Sequence, residues 1–355
     1  RDRAEGLGEQ PGDTVGYRMR GDSKTGRRIE VVTEGILTRM IQGDPELKGI
    51  GAVIFDEFHE RSLNADLGLA LTWEARSVLR PDLMVVVMSA TLDAAPVAAL
   101  LDDAPVITAE GRSFPVTTHY LPRAIPKTTR LETATAELIL EALPQTEGGM
   151  LVFLPGEGEI RRTASLLEGR LPDGVVVRPL YGALPFAAQR KAIAPFRDGR
   201  KIVLSTSIAE TSLTIEDIRV VIDAGRARRA RFDPGSGMSR LVTERVSKAE
   251  ATQRAGRAGR VAPGDAYCLW TKGEHGALPA FAPPEIEAAD LAGLALELAV
   301  WGSDDLAFLT PAPAGALAEA RALLQGLGAL DADLRITAHG RALAALPLHP
   351  RLAHM

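Results

Sequence analysis

An α/β fold built on parallel sheets is what the sequence predicts, and three observations carry that expectation. Short apolar runs recur at Ala52–Asp56, Met84–Met88, Met150–Leu154, Lys201–Ser205 and Arg219–Asp223. Most are uniformly apolar rather than alternating, as strands buried on both faces are. Stretches of helical spacing lie between them, at Glu34–Gln42, Leu67–Arg80, Leu131–Leu143, Glu157–Arg170 and Ala187–Phe196. Strands and helices that alternate along a chain build a parallel sheet covered by helices.

The β/α alternation comes in two series, parted near Glu110–Pro122. After about Gly273 the chain becomes rich in Ala and Leu, with helical spacing at Leu291, Leu294 and Leu298 and again at Leu317, Arg321 and Leu324. The expected domains are therefore 1–112, 113–273 and a mostly helical 274–355.

Composition narrows the class. The chain has 355 residues, 46% hydrophobic and 25% charged, which excludes a disordered, collagenous or coiled-coil protein. A single cysteine, Cys268, excludes a disulfide framework and a multi-cysteine zinc site. No apolar run of about 18 residues is present, so neither a membrane span nor a membrane partner is expected. No signal peptide is legible, and the expected location is the cytoplasm.

Net charge is −5, which read naively argues against nucleic acid. The charge is unevenly spread. Residues 219–260 hold eleven Lys or Arg against four acids, a local +7, whereas residues 277–355 hold nine acids against four Arg. A local basic block bears on phosphate binding more than the sum does. A solvated charged face is the plainer alternative.

Three strings suggest chemistry. Asp56-Glu57-Phe58-His59 follows the apolar run Ala52-Val53-Ile54-Phe55. An acid at a strand end can face Mg²⁺, and the next acid can orient and activate water; both could instead cap the following turn. Ser89-Ala90-Thr91 ends the next strand, one β-α unit later, where small hydroxyl residues could sense the phosphate state. Gln253-Arg254-Ala255-Gly256-Arg257-Ala258-Gly259-Arg260 is the most specific string. Its arginines recur every third residue, so on a helix they share one side. Its glycines permit close approach to a partner surface. Arg offers forked, permanent charge to phosphate.

These strings, with Thr206-Ser207-Ile208-Ala209-Glu210-Thr211-Ser212-Leu213-Thr214-Ile215, resemble motifs II, III, V and VI of the superfamily 2 DEAH/RHA helicases. Asp56–Leu63, with Val32-Thr33-Glu34-Gly35-Ile36-Leu37 upstream, is most similar to the bacterial HrpB type. The similarity runs along essentially the whole chain. It implies two RecA-like domains and a winged-helix module, with ATP and Mg²⁺ as cofactors and single-stranded RNA or DNA as partner. Hydrolysis would drive 3′-to-5′ translocation and unwinding. Carried over position by position, Asp56 and Glu57 would hold Mg²⁺, with Glu57 activating water. His59, Ser89 and Thr91 would couple nucleotide state to motion. Gln253, Arg257 and Arg260 would reach the γ-phosphate, with Arg260 as arginine finger. Ser212, Thr214 and Glu216 would lie near the nucleotide; relatives often carry Asp at the position of Glu216. Thr33 and Thr206 would touch the nucleic-acid backbone, and Arg226–Glu244 resembles the family's strand-separating hairpin.

A phosphate-cradling G-x-x-x-x-G-K-[ST] is absent from the sequence. Gly21-Asp22-Ser23-Lys24-Thr25-Gly26 does not supply one, because Ser23 stands before Lys24 and Arg18 stands where the first Gly belongs. In the family that loop lies upstream of the counterpart of Arg1. The expectation is a chain shortened at both ends, which by itself binds ATP poorly and hydrolyses little. A nucleic-acid-binding module without ATPase activity is the alternative, and a protein remodeller is a third. Cys268, in Tyr267-Cys268-Leu269-Trp270, and Trp301 read as core, and Phe196 as helix packing or an adenine-stacking ring. The histidines show no ligand spacing.

Overall fold

The structure, a computed structural model, describes residues 6, 8–19, 21–90, 94–109, 111, 113–210, 215–233, 235–303 and 305–355. Its strands in chain order are β1 Val15–Met19, β2 Asp22–Lys24, β3 Ile29–Val32, β4 Ala52–Phe55, β5 Met84–Val87, β6 Val116–Leu121 and β7 Gly149–Phe153. They continue as β8 Val175–Leu180, β9 Arg200–Ser205, β10 Ile218–Asp223, β11 Arg226–Asp233, β12 Met238–Arg245 and β13 Gly264–Thr271. The chain divides into two compact units, and β11 and β12 have residues in both.

Unit 1 comprises 1–107, 232–239 and 284–355. Strand β1 pairs antiparallel with β2 and parallel with β3, while β4 and β5 form a parallel pair. Helix Leu63–Val78 starts where Ser62 accepts a hydrogen bond from the Ala65 N–H, which satisfies one of its orphan donors. Its Gly68 lets the Phe55 ring lie close: a Cβ there would meet Phe55 Cε1 at 3.4 Å. Phe55, Phe58, Leu69, Leu71 and Leu83 share one continuous core with Leu291, Leu294, Leu298, Leu324 and Leu343. The helical stretches Ala292–Trp301, Ala314–Gly326 and Ala338–Ala345 thus bury their apolar faces against residues more than 200 positions upstream.

Unit 2 comprises 108–231 and 240–283, around a six-stranded parallel sheet in the order β6-β13-β10-β7-β9-β8. The two faces of β7 explain its uniform apolarity. Met150, Val152 and Leu154 enter one core and Leu151 and Phe153 the other, so the period of two is present but both faces are dry. The outer strands β6 and β8 were not legible as apolar runs, because edge positions tolerate Thr117, Thr118, Arg178 and even Pro179, which has no N–H to donate. Lys201 is fully buried in β9. Its ammonium donates to the Ala192, Ile193 and Ala194 carbonyls at the end of helix Phe186–Ile193 and pairs with Asp217 at 2.8 Å. No described helix is long and apolar enough to cross a membrane.

Candidate functional site

In unit 1 the acidic string lies at the carboxyl end of β4. Such strand ends are where open parallel sheets bind ligands. Asp56 is exposed, and its carboxylate accepts from the Glu57 N–H at 2.9 Å. Glu57 and Arg61 both take left-handed backbone conformations, at φ 53° and 50°, and bracket a single 3₁₀ turn, Phe58–Glu60. Left-handed geometry at a non-glycine costs roughly 1–2 kcal/mol per residue. The bracket drives Phe58 into the core, where its ring meets Phe55 edge-on at 6.3 Å, and leaves Asp56 facing solvent.

The neighbouring strand holds this turn. Phe58 N–H donates to the Met88 carbonyl at 3.0 Å, and Met88 N–H to the Phe55 carbonyl at 2.8 Å. The buried His59 ring brings Nδ1 to 3.4 Å from the Ala90 N–H and 3.5 Å from Glu57 Oε2. That nitrogen serves one partner at a time: bare, it accepts from Ala90; protonated, it donates to Glu57. The acidic string and the Ser89-Ala90 segment are therefore wired together, with Ser89 exposed; Thr91 lies outside the described residues.

Below the turn, Arg61 lies buried in a bidentate pair with Asp66, both contacts 3.0 Å, and also donates to Thr310 at 2.9 Å. Burial pushes the Asp66 carboxyl up and Arg61 pulls it back. Glu285 accepts from the Leu63 N–H at 2.7 Å and donates its own N–H to the Arg61 carbonyl. Thr33 sits exposed at the N-cap of helix Glu34–Gly43 and makes no side-chain capping bond, so its hydroxyl is not committed to the helix. Glu34 instead accepts from the Ser62 hydroxyl at 2.8 Å.

In unit 2 the arginine string does not form one face. The helix Lys248–Gly256 opens with a capping box, Ser247 with Glu250, and stops at Gly256; Arg257–Gly259 is a 3₁₀ turn. Arg254 and Arg257 are buried while Arg260 is exposed and Gln253 half-buried. Arg254 and Arg257 both turn inward onto Glu210, and Arg260 alone of the three stays at the surface. The close approach expected of the glycines is made within the chain, at Gly259 alone. A Cβ at Gly259 would lie 2.5 Å from the Phe114 carbonyl, whereas Gly256 has open space.

Arg254 donates to Glu210 at 3.0 Å and to Asp223 at 2.9 Å, and its guanidinium lies 4.9 Å from the Phe153 ring centre. Burial pushes Glu210 up to about 7 and raises Asp223, with Arg254 opposing in both cases. Burial alone would loosen the Arg254 proton; Asp223 and Glu210 more than reverse that. Arg257 donates to the Glu210 main-chain carbonyl. Thr206 is half-buried at the start of the 3₁₀ turn Ser207–Ala209, without a side-chain capping bond, and Glu216 is exposed. Ser212 and Thr214 lie outside the described residues. Glu210 and Asp223 escaped sequence reasoning. Their signal was legible as lone acids ending apolar stretches, Ile208-Ala209-Glu210 and Val220-Val221-Ile222-Asp223.

The basic block is largely paired. Arg228 meets Glu159, Arg229 meets Glu244 and Glu250, Arg231 meets Glu244, and Arg245 meets Glu274. Strands β11 and β12 form the hairpin expected at Arg226–Glu244.

Asp56 offers an exposed hard oxygen ligand at a strand end, which fits Mg²⁺. Among the described residues no group of three or more His, Cys, Asp or Glu could cage a metal. One or two carboxylates with phosphate oxygens and water are how Mg²⁺ is ordinarily held.

Residues 132–262 match the helicase conserved C-terminal domain. Over 99% of its length the chain is 52% identical to the ATP-dependent RNA helicase HrpB of Escherichia coli, covering 44% of that protein. It is 37% identical to the pre-mRNA-splicing factor ATP-dependent RNA helicase prp22 of Schizosaccharomyces pombe, covering 31% of it. The crystal structure of the E. coli DEAH/RHA helicase HrpB superposes with a TM-score of 0.92 at 52% identity, over 99% of this chain and 45% of that one. The chain thus spans less than half the length of the curated relatives it matches. An acidic string held against the next strand's hydroxyl turn, an arginine string on a six-stranded parallel sheet and these similarities along 99% of the chain converge: it belongs to the DEAH/RHA helicase family.

Proposed function

We propose that this chain is the part of an ATP-dependent RNA helicase that carries the water-activating acid, the phosphate-facing arginines and part of the nucleic-acid contact surface. The observation that supports this most is the pair of exposed Asp56 and half-buried Glu57 at the end of β4, in a turn whose Phe58 and His59 are bonded to Met88 and Ala90. Asp56 would hold Mg²⁺, which when bound neutralises charge on the phosphates. Glu57 orients the attacking water and accepts its proton. Ser89, with Thr91 beyond it, and the His59 ring relay the state of Glu57. Gln253, Arg257 and Arg260 present hydrogen-bond donors and positive charge to the transferring phosphoryl group. Glu216, with Ser212 and Thr214 before it, approaches the nucleotide. Thr33 and Thr206 hold the backbone of a single strand, RNA before DNA, which the enzyme moves along 3′-to-5′. The cytoplasm is the place of action.

No string in the 355 residues supplies the phosphate cradle. The isolated chain should therefore bind single strands yet turn over ATP slowly. RNA-stimulated turnover by the isolated chain equal to that of the full-length gene product would refute this. In the full-length product, Glu57→Gln should keep ATP binding and lower turnover by about 10²- to 10⁴-fold, the usual worth of a general base. Undiminished turnover would remove Glu57 from the mechanism.

A further inference from the structure

The one fully buried guanidinium triad among the described residues of unit 2 stands where the two strings of that unit meet. Arg254 is 1% exposed. It spans the carboxyl ends of three adjacent strands: Phe153 ends β7, Asp223 ends β10, and Glu210 follows β9 by one turn. Glu210 carries two duties at once. Its carboxylate accepts from Arg254 Nε, and its main-chain carbonyl accepts from Arg257. Its own N–H donates to the Ser207 carbonyl at 2.8 Å, within the single 3₁₀ turn that Thr206 begins. Only the three residues of that turn therefore stand between Thr206 and Glu210, whose carbonyl seats Arg257.

We infer that the Arg254–Glu210–Asp223 triad is a positioning device that makes the seat of Arg257 depend on the Thr206 turn, so that a strand held at Thr206 sets ATP turnover. This rests on the function proposed above. Apolar residues of similar volume usually hold a core as well as a buried ion triad or better, so stability alone does not account for charge there. The triad is also unsaturated: Asp223 Oδ2 is buried without a hydrogen-bond partner.

Glu210 is the leg that can let go. Facing it are Arg254 and Glu250 on helix Lys248–Gly256, Asp223 at the end of β10, and Arg257 on the following turn. Burial brings its titration to about 7, so near neutrality acidification weakens the Arg254 leg at Glu210.

The test uses the full-length gene product with an oligouridine single strand. ATP turnover is measured with and without RNA at pH 6 and pH 8, together with RNA affinity and the thermal midpoint. In the wild type, stimulation should be larger at pH 8 than at pH 6. Glu210→Gln should lower the ratio of stimulated to basal turnover at pH 8 by at least about fivefold, the smallest usual coupling between sites. It should also show one ratio at both pH values, with RNA affinity unchanged. Arg254→Lys, which keeps the charge and loses the fork, should lower the ratio too, and it stands in if Glu210→Gln does not fold. An unchanged ratio and pH profile overturns the inference. So does a parallel fall of basal and stimulated rates with the thermal midpoint, which is what a merely structural role gives. A wild type that RNA does not stimulate overturns the proposed function instead, and this inference with it.

Discussion

Asp66→Ala should be among the most destabilising single changes in unit 1. Asp66 is 2% exposed and accepts two hydrogen bonds of 3.0 Å from Arg61, itself 9% exposed. Removing one partner of a buried pair costs about 3–5 kcal/mol, because the other charge stays buried alone. Arg61 would retain Thr310 at 2.9 Å and the Phe58 face at 5.8 Å, which places the loss near the lower end, about 3 kcal/mol. Asp66→Asn keeps one good acceptor and should cost about 1–2 kcal/mol. The double change Arg61→Met with Asp66→Leu leaves no buried charge and should recover most of the loss, a coupling of about 2 kcal/mol. Urea unfolding of the 355-residue chain reads this, with Trp270→Phe as background, so that Trp73 and Trp301 report on unit 1 alone. An Asp66→Ala midpoint within about 1 kcal/mol of the parent would refute the argument, since it would mean that Arg61 finds water or another partner. So would a double variant weaker than Asp66→Ala itself.

Three further outcomes follow from the geometry of unit 2. Gly259→Ala must displace the Phe114 carbonyl 2.5 Å away and should cost about 1–3 kcal/mol, whereas Gly256→Ala, with nothing near, should be neutral or stabilise by up to about 1 kcal/mol; paired thermal melts compare them. Burial, with Asp223 beside it, pushes the Cys268 thiol up to about 12, so an aromatic disulfide reagent at pH 8 should label it only on unfolding; prompt native labelling would contradict that. Glu210, raised from 4.5 to about 7, binds its proton more tightly folded than unfolded. Its contribution to stability is therefore full below about 4.5 and is lost as pH rises to about 7. The difference in unfolding free energy between wild type and Glu210→Gln should fall across that window, and a flat difference would refute the shift.

The inner strands β7, β9 and β10 were legible to within a residue or two, because they are apolar on both faces and bounded by turn residues, and β4 was legible from residue type although Ala52 and Ile54 are exposed. The outer strands were not, since Val116–Leu121 and Val175–Leu180 meet different demands at a sheet edge. The shared core of Leu294 with Phe55 was beyond reach for another reason: helical spacing shows that a face is apolar but not what covers it. The site divides along the same line. Asp56 and Glu57 were readable from a strand end followed by acids. The order of motifs made Gln253–Arg260 conspicuous, yet its three-residue spacing implied a common face, whereas Arg254 and Arg257 are buried on Glu210 and Arg260 is exposed.

Charge shows what that difference costs a sequence reading. The +7 of residues 219–260 invites a picture of a positive face, but at least six of its eleven cations pair with acids: Arg219, Arg228, Arg229, Arg231, Arg245 and Arg254. Four of the seven acids they meet, Glu147, Glu159, Glu210 and Glu274, lie outside the block and so never entered its sum. The block's total thus overstates the positive charge the fold leaves turned outward, to which exposed Arg260 contributes. The buried arginines act differently. Arg254 holds the ends of three strands through Glu210, Asp223 and the Phe153 ring, and Arg257 donates to the main-chain carbonyl of Glu210. Within one octapeptide, Arg254 and Arg257, on either side of Gly256, turn inward onto Glu210, while Arg260 stays at the surface.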